Sequence, residues 1–316
     1  MDSPPSRPWA GEPLNPSQQE VVDLLGARDH ERPTFDAGLR VHLRAILEEA
    51  TSELVEEIAA TLHVNKHSLS SAHGCEARFL ADKDNDFVVS IPVARGTVAH
   101  KAIELSVHWP GDPSALELVD EAIARLTVTD HWLADFLGRC TDADRAELRA
   151  EANDRVATFM ECWPPLKRRW LPVTESATRL ELHDALVILR GKVDLTLGRS
   201  RGLQAGKVLI DFKTGGSALA HRDDLRFYAL LETIRVGVPP RLLASYYLDQ
   251  GRFDIEEVNK GVLETAAKRT ADGICRIVEL LGDERPPTYR AGPSCRWCPL
   301  ISECDTGRRW IANTDR

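Results

Sequence analysis

Three charged side chains close two apolar runs of this chain, and their spacing suits hydrolysis at a bound metal. Asp194 ends Gly191-Lys192-Val193-Asp194, while Asp211 and Lys213 lie in Asp211-Phe212-Lys213-Thr214-Gly215, just after Val208-Leu209-Ile210. An unpaired charge at the end of a buried strand is costly, so each must meet a partner. Alternate residues of a strand share a face, which sends Asp211 and Lys213 one way and Phe212 the other. Asp194 joins them if Ala185–Leu197 and Lys207–Lys213 pair as a hairpin across a Gly198–Gly206 turn. Hard divalent cations take carboxylate and carbonyl oxygens, so Asp194, Asp211 and the Phe212 carbonyl would hold Mg2+ or Mn2+. Lys213 would then orient or deprotonate the attacking water, or neutralise charge developing on a phosphate. The bland alternative is a buried Asp–Lys pair without metal, because Asp-x-Lys alone is a weak motif.

Two neighbouring patterns add to the set. Gly96-Thr97-Val98-Ala99-His100 places His100 on a helix, with Glu104 on the same face one turn later. A histidine ligand would make the site friendlier to Mn2+ than an all-oxygen cage. Leu225-Arg226-Phe227-Tyr228 opens a helix after the Lys213 strand. From there Tyr228 and Arg226 would reach a phosphate or brace the lysine, and Phe227 reads as core.

The elements that must position these residues change character along the chain. Residues 1–16 read as a tail. Ser17–Leu25 reads as a helix with Ser17 as N-cap and Glu20 completing a capping box. Asp36–Leu62 has the periodicity of one long amphipathic helix. Further helices are expected at Ser68–Leu80, Val93–Trp109, Ser114–Leu126, His131–Leu137 and Asp142–Cys162, with a short apolar run at Phe87–Ile91 before the second of these. Strands are expected at Thr178–Leu182, Ala185–Leu197, Lys207–Lys213, Leu242–Leu248 and Arg252–Ile255, with helices at Asp223–Arg235 and Leu263–Leu281. The layout is an α/β core, a small mixed β-sheet flanked by helices. Residues 1–65 form a helical N-terminal extension. Residues 66–316 form the main domain, with a helical insertion at about 112–163 and a cysteine segment at about 286–310.

With 316 residues, 43% apolar and 28% charged, the composition is that of a soluble globular protein. No apolar run reaches the ~18 residues of a spanning helix, and residues 1–19 lack a signal-peptide core, so no membrane partner and a cytoplasmic location are expected. The net charge of −9 requires any nucleic-acid footprint to be local. Candidates are Lys167-Arg168-Arg169-Trp170, Arg199 with Arg201, and Arg308-Arg309.

Seven cysteines in such a chain do not suggest disulfides. Cys295, Cys298 and Cys304 form a three-thiolate loop that needs one more ligand, and Cys75 supplies it, with His73 the weaker choice. Four thiolates suit structural Zn2+ or an iron–sulfur cluster, and spacing does not decide between them. Cys140, Cys162 and Cys275 fall in helical patterns and are assigned to packing.

The order Gly-x-x-x-His, Gly-x-x-Asp, Asp-x-Lys-Thr-Gly and a following tyrosine helix resembles the PD-(D/E)xK nuclease superfamily over about residues 66–310. It looks closest to the RecB-like branch, with the AddB nuclease domain and the CRISPR adaptation nucleases. The resemblance implies a restriction-endonuclease-like core and a metal-dependent DNA nuclease, with exonuclease action the leading form. His100, Asp194 and Asp211 match the metal-binding positions and Lys213 the catalytic lysine, while Glu175 matches a glutamate with a supporting role. It also implies that Cys75, Cys295, Cys298 and Cys304 hold a structural [4Fe–4S] cluster, with Zn2+ as the alternative. The partner would be DNA. No helicase motif lies in the chain, so a motor or other repair or defence partner would be a separate protein. One departure is Asp224, where the family usually has glutamine. With the acidic net charge, it leaves a second reading, a catalytically silent DNA-binding or assembly subunit that retains the nuclease fold.

Overall fold

The computed structural model describes residues 13–58, 60–84 and 89–314. Phe87 and Val88 of the expected apolar run lie outside the described residues, as do residues 1–12 of the tail.

The chain opens with α1 (Pro16–Leu25), α2 (Leu39–Thr51), β1 (Leu62–Val64), α3 (Lys66–His73), α4 (Glu76–Asp84) and α5 (Ile91–His108). Three insertion helices follow, α6 (Ala115–Thr129), α7 (His131–Arg139) and α8 (Asp142–Cys162). Then come β2 (Val173–Leu182), β3 (Val187–Leu197), β4 (Val208–Lys213), α9 (Leu219–Val236), β5 (Leu242–Tyr247), β6 (Arg252–Glu257), α10 (Lys260–Leu281) and α11 (Asp305–Thr314). The strands make one six-stranded mixed sheet in the order β1-β3-β4-β5-β6, with β2 along the other edge of β3. Strands β4 and β5 are parallel and joined through α9, and β5 and β6 are antiparallel.

Period-two alternation divides the sheet between two cores. Leu209 and Leu243 face one core with Leu43 and Leu47 of α2, Leu230 of α9 and Ile274 of α10. Val208, Ile210, Phe212, Ala244 and Tyr246 face the other, against α1, α5 and the insertion helices. The architecture is therefore helix, sheet, helix, the expected α/β class. Among the described residues, no helix is long and apolar enough to cross a membrane.

Several expected elements differ: the strand expected at Thr178–Leu182 begins at Val173 and the helix expected at Asp223–Arg235 begins at Leu219. The N-cap of α1 is Asn15 rather than Ser17, because Asn15 and Gln18 satisfy each other's backbone N–H groups and Pro16 takes the first turn. The Asp36–Leu62 helix ends at Thr51, tightens into a 3-10 turn over Ser52–Glu57, and leaves Leu62–Val64 as a strand. Thr51 turns its hydroxyl back onto the Leu47 carbonyl at 2.8 Å, a local bond that competes with helix continuation. The expected Ser68–Leu80 helix breaks at Gly74 into α3 and α4, which puts Cys75 in the break.

Candidate active site

The site is a gap along one edge of β3. β1 pairs with β3 only at Val187–Leu189, and β4 pairs with it only at Leu195–Leu197. Between them, Arg190 to Asp194 have no strand on that edge. At this gap β3 also crosses between layers, since Val193 joins the first core and Leu195 the second. Strands β3 and β4 part at Asp194 and Asp211. The Phe212 N–H, which faces no β3 carbonyl there, donates instead to Asp194 Oδ2 at 2.7 Å. Asp194 Oδ1 lies 3.4 Å from His100 Nδ1 on α5.

Asp211 is 1% exposed. Lys213 Nζ forms an ion pair with the buried Asp211 Oδ2 at 2.7 Å. Lys213 Nζ donates to Asp224 Oδ2 at 3.1 Å. A second lysine, Lys66 at the start of α3, places its Nζ 3.4 Å from Asp211 Oδ1, 3.8 Å from Asp224 Oδ2 and 5.3 Å from the centre of the Tyr228 ring. Two ammonium groups thus share two carboxylates, Asp211 and Asp224.

Charge and burial compete at each group. Burial lowers the pKa of Lys66 and Lys213, but Asp211 and its neighbours outweigh it and raise both. Burial likewise opposes charge on His100 and Asp194, and their mutual attraction wins, raising the histidine and lowering the acid. Burial, then the nearby acids, push the Tyr228 hydroxyl well above the ordinary phenol range.

The structure thus brings together His100, Asp194, Asp211, Lys213 and Tyr228. Close packing accounts for two glycines. A side chain at Gly96 would meet Thr214 Oγ1 at 3.2 Å, so Gly96 lets α5 approach the end of β4. A Cβ at Gly191 would sit 2.7 Å from Tyr228 Cδ1, so Gly191 makes room for the tyrosine. The Phe212 ring packs into the second core against Phe159 and Trp163.

Other expectations change. Arg226 is not available to a phosphate, because Glu256 and Asp223 hold it. Glu104 pairs with Lys101 at 2.8 Å rather than joining His100. Glu175 pairs with Lys192 and adopts a φ of 53° in β2. Asp224 meets both lysines, so its charge is compensated within the site. Lys66 escaped the sequence reading, since only tertiary structure brings the end of β1 to the gap. A cavity of about 650 Å³ opens beside Asp194, with Lys66, His67, Lys101, Arg190 and Lys192 on its walls.

A hard cation fits this donor set, since Asp194 and Asp211 supply carboxylate oxygens and the buried Asp211 Oδ2 has no partner beyond its ion pair with Lys213. Among the described residues, no three His, Cys, Asp or Glu side chains already converge as a metal-holding group.

Cys75, Cys295, Cys298 and Cys304 line one small cavity at the other end of α3 and carry no disulfide. Backbone N–H groups of Arg290, Gly292 and Gly307 point at the sulfurs of Cys75, Cys295 and Cys304 at 3.5, 3.4 and 3.3 Å. Such donors favour thiolates, while among the described residues the four cysteines do not converge as a metal-holding group. Next to Cys75, the buried Glu76 carboxylate takes a forked pair from Arg285 at 2.7 and 2.8 Å and the Thr288 N–H at 2.8 Å. Arg285 first, then Thr288, hold its pKa down at about 2. This buried ion pair ties the cysteine segment to α4. His73, the weaker alternative ligand, bonds the Arg269 carbonyl through Nε2 at 2.9 Å and lies 3.5 Å from Asp272 Oδ2 through Nδ1. Cys275 and Cys162 are half-buried in helices, as expected for packing residues, and Cys140 caps α7.

A mixed sheet flanked by helices, with paired acids and a lysine where two strands part, defines the chain as an α/β protein. The chain belongs to the PD-(D/E)XK nuclease superfamily, whose family model matches residues 63–305. No curated protein matches it. Among solved structures, it is similar to a Eubacterium rectale protein provisionally described as an exonuclease, at 12% identity over 83% of this chain and 90% of that one, with a TM-score of 0.46. A second, SSO0001, is 14% identical over 82% of this chain and 94% of that one, with a TM-score of 0.34.

Proposed function

We propose that this nuclease is a divalent-metal-dependent deoxyribonuclease of the RecB-like kind, acting from DNA ends. The observation that carries this reading is the meeting of His100, Asp194, Asp211, Lys213 and Tyr228 at the gap in β3. Asp194, Asp211, His100 and the Phe212 carbonyl would hold Mg2+ or Mn2+. Such an ion, when bound, polarises the phosphate and acidifies the attacking water. Lys213, anchored by Asp224, orients that water and offsets charge growing on the phosphate. The 650 Å³ cavity, where Lys66, Lys101, Arg190 and Lys192 stand among Glu104, Asp130, Glu175 and Asp194, receives the DNA strand. Tyr228, wedged on Gly191, fixes the distance between α9 and the acids.

The four cysteines would hold a [4Fe–4S] cluster, with Zn2+ the alternative, that clips the C-terminal segment onto α4 close to the site. Its role is structural. A cytoplasmic location remains the expected one, and any helicase would act as a separate partner.

Digestion of end-labelled linear and circular DNA, single- and double-stranded, in Mg2+ and Mn2+ tests the reading. Linear DNA shortened from its ends with circles left intact is the expected result. Nicked circles would refute end-dependence but leave the nuclease, and no cleavage of any substrate would remove the nuclease reading.

A further inference from the structure

A second basic site lies at the opposite end of β4 from Asp211. A cavity of about 230 Å³ is lined by Arg32, Arg169, Arg241, Trp163, Trp170 and Val208. Arg241 donates through Nη2 to the Leu25 carbonyl, while its Nε and that of Arg32 are buried without a hydrogen-bond partner. Among the described residues Arg241 makes no ion pair. Glu31 and Glu257 act on it only at a distance, and burial followed by Arg32 lowers its pKa. Arg32 shares a single acid, Asp29, with Arg201, at 3.1 Å to each.

The rim is the Lys167-Arg168-Arg169-Trp170 run, whose basic character the active site leaves unused. Arg168–Trp170 form a 3-10 turn closed by Leu171, which holds a left-handed φ of 51° and ψ of 54°. The Trp170 carbonyl accepts the Gly198 N–H at 2.6 Å, which fastens this turn to the β3–β4 connection where exposed Arg199 sits. Lys167 lies over the Trp170 ring at 5.8 Å. Among the described residues, Lys167, Arg168, Arg169 and Arg199 make no ion pair. A chain of net charge −9 has thus placed on one cavity Arg169 and Arg241, which make no ion pair among the described residues, and Arg32, which shares Asp29. Guanidinium forks match phosphate oxygens, and a half-buried indole gives a base a surface to stack on.

We propose that this arginine-lined cavity is a second phosphate subsite, which grips the nucleic-acid strand away from the cutting site. The proposal rests on the nuclease reading for its ligand, a phosphodiester strand. It does not touch the reacting atoms, so its role is retention of the strand.

The test is fluorescence polarisation of a labelled single-stranded oligonucleotide bound to the full-length protein in EDTA, where nothing is cut, repeated over a salt series. Arg169→Ala and Arg241→Met are expected to weaken binding roughly tenfold each, and to reduce the salt slope by about one unit each. Arg145→Ala, at an exposed position near the other end of α8, controls for loss of one positive charge and is expected to match wild type. Arg169 is solvent-exposed, so its variant keeps the test decisive even if Arg241→Met unfolds. Coincident curves and slopes for Arg169→Ala and wild type would overturn the proposal. So would equal losses in Arg169→Ala and Arg145→Ala, or an Arg169-dependent site for inorganic phosphate with oligonucleotide affinity unchanged. Absence of cleavage in Mg2+ with the binding difference intact would instead remove the nuclease reading and leave the subsite standing.

Discussion

Replacing Gly191 by alanine probes the packing that sets the active site. The new Cβ would lie 2.7 Å from Tyr228 Cδ1, 2.9 Å from Cε1 and 3.2 Å from Leu231 Cδ1. Carbon atoms settle at about 3.5–4.0 Å, so the overlap is on the order of 1 Å. Tyr228 is 4% exposed and Leu231 fully buried, so neither can swing into solvent. Either the ring moves or β3 bends, and overpacking of this kind costs about 1–3 kcal/mol. At ~2 cal/mol/K per residue of unfolding entropy, that is a Tm lower by roughly 2–5 °C for one cooperative unit. Moving Tyr228 also shifts α9 relative to the acids, and a displacement near 1 Å is worth about a hundredfold in rate. Tyr228→Ala alone costs about 3–5 kcal/mol through the cavity it leaves. In the double variant the methyl introduced at position 191 enters space the ring has vacated, so the stability losses should sum to about 1–3 kcal/mol less than additive. Urea unfolding of the four proteins gives the coupling, and cleavage of labelled DNA gives the rate. Strict additivity, or a Gly191→Ala protein as stable and active as wild type, would refute the wedge.

Three further outcomes follow from the same contacts. Glu76→Ala leaves Arg285 to Glu279 alone and strands the Thr288 N–H, and should cost about 1–3 kcal/mol in urea unfolding, with early proteolysis between 286 and 304. Cys298→Ser should abolish the brown colour and most of the iron of anaerobically purified protein, whereas a colourless wild type containing zinc selects Zn2+ at the cysteines. Lys66→Met leaves Asp211 and Asp224 to one ammonium, and should lower the cleavage rate about tenfold to a hundredfold. Adding Asp224→Asn should recover part of that loss, and no recovery would contradict the shared compensation.

Much of this was legible in local sequence. Asp142–Cys162 is bounded as its N-cap Thr141 and the following Trp163-Pro164-Pro165 require, and the Asp194 and Asp211 strands carry their own apolar pattern and turn. What escaped depends on contacts between distant segments. Three residues at Leu62–Val64 are too few to show a period, and they are a strand only because β3 offers them an edge. Lys66 reads as an ordinary first-turn residue behind an Asn65 cap, and β1 is what carries it to Asp211. Asp224 looked like an unpaired departure from a family pattern until Lys66 and Lys213 were found beside it. Arg226 seemed free for a phosphate because nothing local reveals Glu256 across the α9–β6 contact.

The central claim is metal-dependent cleavage by the acids and lysine at the β3 gap. It is met most directly by assaying wild type, Asp211→Asn and Lys213→Ala on end-labelled DNA, with Mg2+, Mn2+ and EDTA. The account predicts cleavage by wild type with either metal and none in EDTA, and a rate lower by at least about a hundredfold in both variants. Equal cleavage by all three proteins, or wild-type cleavage undiminished in EDTA, would contradict it.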